Sequence, residues 1–408
     1  MGRIQSRGLA SIEFILRWQS SHASHVDHFY AKKVNFWRDV FPGRLRDLLL
    51  GREDGERFSL TQDIGDIVPP YNADDELVLS LRRFDRLYNP ALAAGPRFGR
   101  FYPKGILKGL ANVFPGNGEP FRCIGLDETH LRVDLNHPLA AKPVELAAVI
   151  DSATEKPGDL GGSCTDWMGV ISAGPGMQAR CKGLPTDFFG DGPFTRADES
   201  DDAAFYEIPR LVTHIDQEAV GIVEGIYGGF LRDGMRVLDL MSSWRSHIPE
   251  DLSLKALVGL GLNSREMEEN RQLSEFLIHD LNREYHLPFQ DRTFDAVICT
   301  VSVEYLTQPF RVFEEVARIL VPGGIFIVTI SNRWFPPKAI RIWGELHEFE
   351  RIGLVIEYFL HSGQFENINT YSMRGKPRPF SDKHFIETQV SDPVYAVWGQ
   401  TVSGACNT

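Results

Sequence analysis

Five apolar runs separated by helical patterns constrain this chain more than any other feature: RVLDL, KALVGLGL, EFLIHDL, FDAVICTVSV and GIFIVTI follow one another between residues 236 and 330. Each is short enough for one strand, and none alternates strictly, as expected of strands buried on both faces. Strands alternating with helices imply a mainly parallel sheet covered by helices on both sides. In such a sheet the ligand sits beyond the carboxyl ends of the strands, so the residues that close each run are the ones that matter. They are polar or small. Asp239-Leu240-Met241-Ser242-Ser243-Trp244 closes the first run, Gly261-Leu262-Asn263 the second, and His279-Asp280-Leu281-Asn282 the third. Ser302, Glu304 and Tyr305 follow the fourth, and Asn332 and Arg333 the fifth.

At 408 residues the chain exceeds one ordinary core, which argues for two domains and connecting segments. Residues 205–400 hold the α/β pattern. Residues 36–152 alternate short apolar runs with Gly and Pro, which reads as a strand-rich α+β domain. Residues 153–204 turn to Gly, Pro and small residues and read as a connector. Residues 1–35 read as an N-terminal extension, where LASIEFIL, broken by Glu13, fits a short amphipathic helix. His22, His25 and His28 stand three apart there, and a solvated helix face is the expectation, with no metal site.

No apolar run approaches the length of a membrane span, so neither membrane insertion nor secretion is expected. Five widely spaced cysteines, Cys123, Cys164, Cys181, Cys299 and Cys406, form no C-x-x-C pair and read as reduced thiols of a cytoplasmic protein. A net charge of -12 repels a phosphate backbone, so nucleic acid is not an expected partner.

Four stretches in order, VLDL, VGLGLNSREMEEN, HDLNREYHLPFQDRTFDAVICTVSVEYL and EEVARILVPGGIFIVTISN, resemble the class I S-adenosylmethionine-dependent methyltransferases. The resemblance implies a Rossmann-like fold with a mainly parallel seven-stranded sheet and S-adenosylmethionine as cofactor. Position by position, it implies that Asp239 orders the loop Leu240-Met241-Ser242-Ser243 near the methionine moiety. Asp280 would meet the adenine amino group, and Leu281 or Asn282 would offer a backbone N–H to the ring. Arg210, on the segment that leads into the first strand, would hold the cofactor carboxylate, since a guanidinium fork suits a carboxylate. Two departures stand out. The loop DLMSSWRSHIP replaces the usual glycine-rich one and resembles a methyltransferase-like subgroup with that D-L-M-S-S-W signature. Gly261 stands where most members place a ribose-binding acid, with Asn263 two residues on. Ser302, Glu304 and Tyr305 would line the acceptor pocket. His214 or His247 could take a proton from a protonated acceptor, because imidazole titrates near neutral pH.

Upstream, FPGRLRDLLLGREDGERFSL, PPYNADDELVLSLRRFD and VDLNHPLAAKPVELAAVI resemble SlyD-like FKBP prolyl isomerases. Leu146 stands where that family supplies a Phe, and Tyr71 alone matches its aromatic pocket. Phe98, Phe101, Tyr102, Ile106, Leu110 and Phe114 fall in the family's inserted segment and would form an apolar surface or pack on the other domain. Taken together, the expectation is methyl transfer to an unidentified small-molecule, peptide or protein acceptor, with the FKBP-like domain recruiting or positioning it. A non-catalytic, chaperone-like binding protein and an active prolyl isomerase are the alternatives.

Overall fold

The computed structural model describes residues 2–403 except 61–66, 90, 91, 93, 94, 157, 159 and 160; Cys406 lies outside the described residues. The chain divides into two compact units, Met1–Gly190 with Glu345–Gly353, and Asp191–Gly344 with Leu354–Thr408.

The first unit contains two antiparallel sheets. In one, β1 (Gly8–Gln19) pairs with β2 (Ser24–Asn35) and with β8 (Val144–Glu155), which in turn pairs with β3 (Arg57–Leu60). The other, between β3 and β8 in sequence, runs in the order β4 (Glu76–Ser80), β7 (His130–Asp134), β6 (Pro120–Leu126), β5 (Phe101–Pro103). Two short helices, α1 (Leu45–Leu49) and α2 (Trp167–Ser172), belong to this unit.

Several expectations are corrected here. Residues 8–35 are two long strands, with no helix. Ala10, Ile12, Phe14, Leu16 and Trp18 repeat every second residue and are buried in the core of the first sheet, which is a strand period. The histidines therefore sit apart. His25 stacks on Trp18 with ring centroids 3.8 Å apart, and burial, with Lys142 second, lowers its pKa to about 3. His28 Nδ1 instead meets Glu13 Oε1 at 2.7 Å. Among the described residues no group of three or more His, Cys, Asp or Glu is placed to hold a metal ion. The Gly/Pro-rich stretch is not a bare connector, because Trp167, Ile171 and Ala179 join the same core. Tyr102 and Ile106 fill the second sheet's own core, while Phe114 is exposed. Leu146 is wholly buried in β8, and Tyr71 is exposed, its hydroxyl donating to Glu76 at 2.7 Å.

The second unit carries helices α3 (Asp202–Phe205), α4 (Gln217–Phe230), α5 (Ser264–Glu269), α6 (Pro309–Ile319) and α7 (Arg341–Glu345). Helix α8 (Glu348–Ser362) follows. Its strands are β9 (Arg236–Leu240), β10 (Ala256–Gly261), β11 (Glu275–Ile278), β12 (Phe294–Thr300), β13 (Leu320–Ser331), β14 (Phe365–Arg374) and β15 (Val394–Thr401). They pair in the order β11-β10-β9-β12-β13-β15-β14. The pairs from β11 to β13 are parallel, and β15 runs against both neighbours. Continuous apolar runs such as AVIC and IFIVTI explain this, since β12 and β13 are buried on both faces. Asp216 caps α4 by accepting the Ala219 N–H at 3.0 Å. Helix α6 begins on Pro309, whose missing N–H would be unpaired there anyway, and buries Val312, Phe313, Val316 and Ala317 at helical spacing. The strand order reverses between β9 and β12, which opens a crevice at their carboxyl ends.

Candidate active site

A cavity of about 490 Å³ occupies that crevice, within the range of small-molecule sites. The ends of β9 to β13 line it, together with residues 202–215. Asp239, at the end of β9, is 3 % exposed. Its Oδ2 accepts from Ser242 Oγ at 2.6 Å and Ser246 Oγ at 2.7 Å, which pins the following loop. Burial pushes the Asp239 carboxyl up to about 7, against the pull of the two serines. Met241 and His247 bracket the loop at φ 60° and 56°, left-handed values that glycine adopts more readily. The side chain of Ser242 thus turns toward Asp239, and Trp244 Nε1 donates to Val212 O at 3.1 Å. Both line the cavity without closing it.

The loop also explains the missing acid on β10. Ser242 N–H donates to Leu260 O at 2.8 Å, drawing the loop over the strand end. A Cβ on Gly261 would lie 2.3 Å from Ser242 O, so no side chain fits. Asn263 does not replace the acid. Its Oδ1 caps α5 by accepting the Glu266 N–H at 3.1 Å, and its Nδ2 donates to Tyr206 O at 2.7 Å. Beyond β11, Asp280 Oδ1 accepts the Asn282 N–H at 2.9 Å, and the Leu281 N–H has no acceptor among the described residues. The Asn282 side chain, which lines the cavity, is engaged within the fold: its Nδ2 donates to Asp202 and to Tyr305 O, both at 2.9 Å, and its Oδ1 accepts from Thr307. The Leu240 side chain is wholly buried and does not line the cavity.

At the other end of the cavity Ser302 Oγ donates to Thr300 O at 2.8 Å. Tyr305 accepts the Phe335 N–H on its hydroxyl at 2.9 Å, and burial, followed by Glu304, raises its pKa well above the usual phenol range. It stays protonated at neutral pH. Glu304 is 1 % exposed and does not line the cavity, which corrects its place in the acceptor pocket. His214 lies edge-on to Phe335 with centroids 5.1 Å apart, and burial lowers its pKa. His247 has its pKa lowered to about 4 by burial, then by Arg245, and its buried Nδ1 has no partner among the described residues. Each imidazole is neutral at pH 7. The Arg210 guanidinium is held against Phe205, Phe335 and Tyr206 at 4.7, 5.1 and 5.5 Å. Its Nη2 donates to Phe205 O at 3.1 Å, and its buried Nη1 has no partner among the described residues.

One residue was missed in the sequence. Glu266 is 8 % exposed and lines the cavity; its Oε1 accepts the Arg210 N–H and its Oε2 the Ser243 hydroxyl, both at 2.6 Å. Nothing in SREMEEN separates it from the neighbouring acids.

The sheet thus keeps a single order with one reversed strand, and its crevice lies at the switch point. Residues 251–328 match the family described as methyltransferase domain. A malonyl-[acyl-carrier protein] O-methyltransferase of Marinomonas sp. (strain MWYL1) is 27% identical over 66 residues, 16% of this chain and 24% of that protein. The chain thus matches about a quarter of that relative's length. Among solved structures, a Haloferax volcanii putative methyltransferase in complex with the Trm112 activator is 16% identical. That match has a TM-score of 0.33 and covers 46% of this chain and 90% of that one. YcgJ protein from Bacillus subtilis is 15% identical at a TM-score of 0.32, covering 46% and 99%.

S-adenosylmethionine is the cofactor of such a domain, and the residues present fit it. The cavity is large enough, a buried guanidinium nitrogen awaits an acceptor, and an N–H and a carboxylate edge remain at the end of β11. Among the described residues no helix is long and apolar enough to cross a membrane.

Proposed function

We propose that this chain transfers the methyl group of S-adenosylmethionine to an acceptor held at the β12 and β13 end of the cavity. The observation that carries this reading is the open crevice at the strand-order reversal, lined by side chains with unfilled hydrogen-bonding capacity. The cofactor supplies an electrophilic methyl on sulfonium, and the chain has to bind, align and exclude water. Asp280 and the Leu281 N–H meet the adenine edge, and Arg210 Nη1 meets the methionine carboxylate. Tyr305, Phe335 and Trp244 give the acceptor end an apolar wall. His247, with an open Nδ1, and His214 are the candidates to take a proton from the acceptor, and burial makes each a weaker base than a free imidazole. Met241, Ser242 and Ser243 present the loop backbone.

The acceptor is a small molecule, or a peptide or protein that the first unit positions. An FKBP-like role for the first unit is supported by the separate four-stranded sheet inserted between β3 and β8. Isomerase activity is not expected of it, because Leu146 is core and Tyr71 is spent on Glu76. Calorimetry with S-adenosylmethionine and S-adenosylhomocysteine tests the reading: binding in the micromolar range is expected. Absence of binding at millimolar ligand ends it. Binding without methyl transfer to any extract component, followed by mass spectrometry, favours a non-catalytic binding protein instead.

A further inference from the structure

Glu266 presents an unusual arrangement for a residue at the third position of a helix. There a carboxylate commonly reaches back to the cap residue's N–H, but here Asn263 caps the helix and the Glu266 carboxylate turns to the cavity. It is more than nine-tenths buried, and among the described residues it has no ion pair. The guanidinium of Arg210 is engaged with three aromatic rings, and only the backbone N–H of that residue reaches Glu266. A buried carboxylate held by two neutral donors alone is costly. Ionised, it has about four acceptor positions, and Arg210 N–H and Ser243 Oγ fill one on each oxygen. One on each oxygen remains. Two acceptor positions a carboxylate's width apart suit two neighbouring hydroxyl donors.

We propose that Glu266 grips the vicinal diol of the cofactor ribose, taking over from β10 the task that the Ser242 carbonyl denies to position 261. The inference rests on the methyltransferase reading above. It also assigns Ser243 as a positioning residue, which orients the carboxylate through Oε2.

The test is calorimetric and needs no acceptor. Ligands are S-adenosylhomocysteine, 5′-methylthioadenosine, which lacks the amino-acid part, and the 2′-deoxy form of methylthioadenosine. In the wild-type protein, removing the 2′-hydroxyl is expected to weaken binding about ten- to a hundredfold. Glu266→Gln should lose a similar factor with both full ribosides and lose nothing further with the deoxy ligand. Additive losses, or no loss in the wild-type protein without the 2′-hydroxyl, overturn the proposal. A loss confined to S-adenosylhomocysteine also overturns it, and assigns Glu266 to the ammonium of the amino-acid part. Should Glu266→Gln fold poorly, the wild-type comparison and Ser243→Ala, expected to lose a severalfold factor with both ribosides, still decide. If S-adenosylhomocysteine does not bind the wild-type protein, the methyltransferase reading itself fails.

Discussion

The two units treat their buried polar groups in opposite ways. In the first, the Arg100 guanidinium is 2 % exposed and donates to Glu350 Oε1 at 2.8 Å, and the Phe101 N–H meets the same oxygen at 2.9 Å. The indole N–H groups of Trp18 and Trp167 donate to Asp27 and Asp39 at 2.7 and 2.8 Å. Among the described residues every buried side-chain nitrogen and oxygen of that unit has a partner. In the second unit, among the described residues, some have none: Arg210 Nη1 and His247 Nδ1 at the cavity, and others away from it such as Arg236 Nε and Tyr358 Oη. Since buried polar groups are bonded in the great majority of cases, the two at the cavity, Arg210 Nη1 and His247 Nδ1, are the ones placed to meet a ligand.

Four perturbations separate the two kinds of group. Arg100→Ala strands Glu350 in the interior and is expected to destabilise the first unit by about 3–5 kcal/mol, read as a lower denaturant midpoint. Recovery of the wild-type midpoint would mean that the pair is not scaffold.

The second contrast is in pH. The Asp239 pKa is raised to about 7 from 3.8, so its folded-state stability is full below pH 4 and is lost as pH rises toward 7. The His25 pKa is lowered to about 3 from 6.5, so its contribution is full above pH 6.5 and is lost as pH falls toward 3. Each spans roughly 3 pH units at about 1.4 kcal/mol per unit, an upper bound near ~4 kcal/mol. Subtracting the stability profile of Asp239→Asn, or of His25→Gln, from that of the wild-type protein should give slopes of opposite sign. Slopes of one sign would refute the assignment.

Arg210→Gln should lower affinity for S-adenosylhomocysteine about ten- to a hundredfold while shifting unfolding far less than Arg100→Ala does. A large unfolding shift with unchanged affinity would place Arg210 with the scaffold. Smallest is Gly261→Asp, expected to cost about 1–3 kcal/mol by overpacking without tightening the cofactor. Tighter binding at unchanged stability would show that the Ser242 carbonyl does not hold that space.

The parallel sheet was legible because strands buried on both faces leave uninterrupted apolar runs, as in β12 and β13. The N-terminal strands were not, because the apolar Ile15 falls between the core positions Phe14 and Leu16 and blurs the alternation in SIEFIL. Within the cavity, sequence located Asp239, Asp280 and Arg210 by their place after strands or on the leading segment. It could not reveal that Asn263 and Asn282 are consumed by the fold, since an amide reads the same whether it meets a ligand or a carbonyl. Glu266 was hidden for the converse reason: its partners, Ser243 and the Arg210 N–H, lie 23 and 56 positions away. Gly261 was visible as an absence, and its cause, a carbonyl from the preceding loop, exists only in three dimensions.

The left-handed Met241 and His247 carry a further consequence. A glycine-built loop roams widely before it closes on a nucleoside and forfeits that freedom on capture. Here two bent pivots without glycine, tied beneath by two serines, make a stiff saddle whose shape is set before any guest arrives. Such a saddle spends little entropy at the moment of docking, and it tolerates little variation in what it seats.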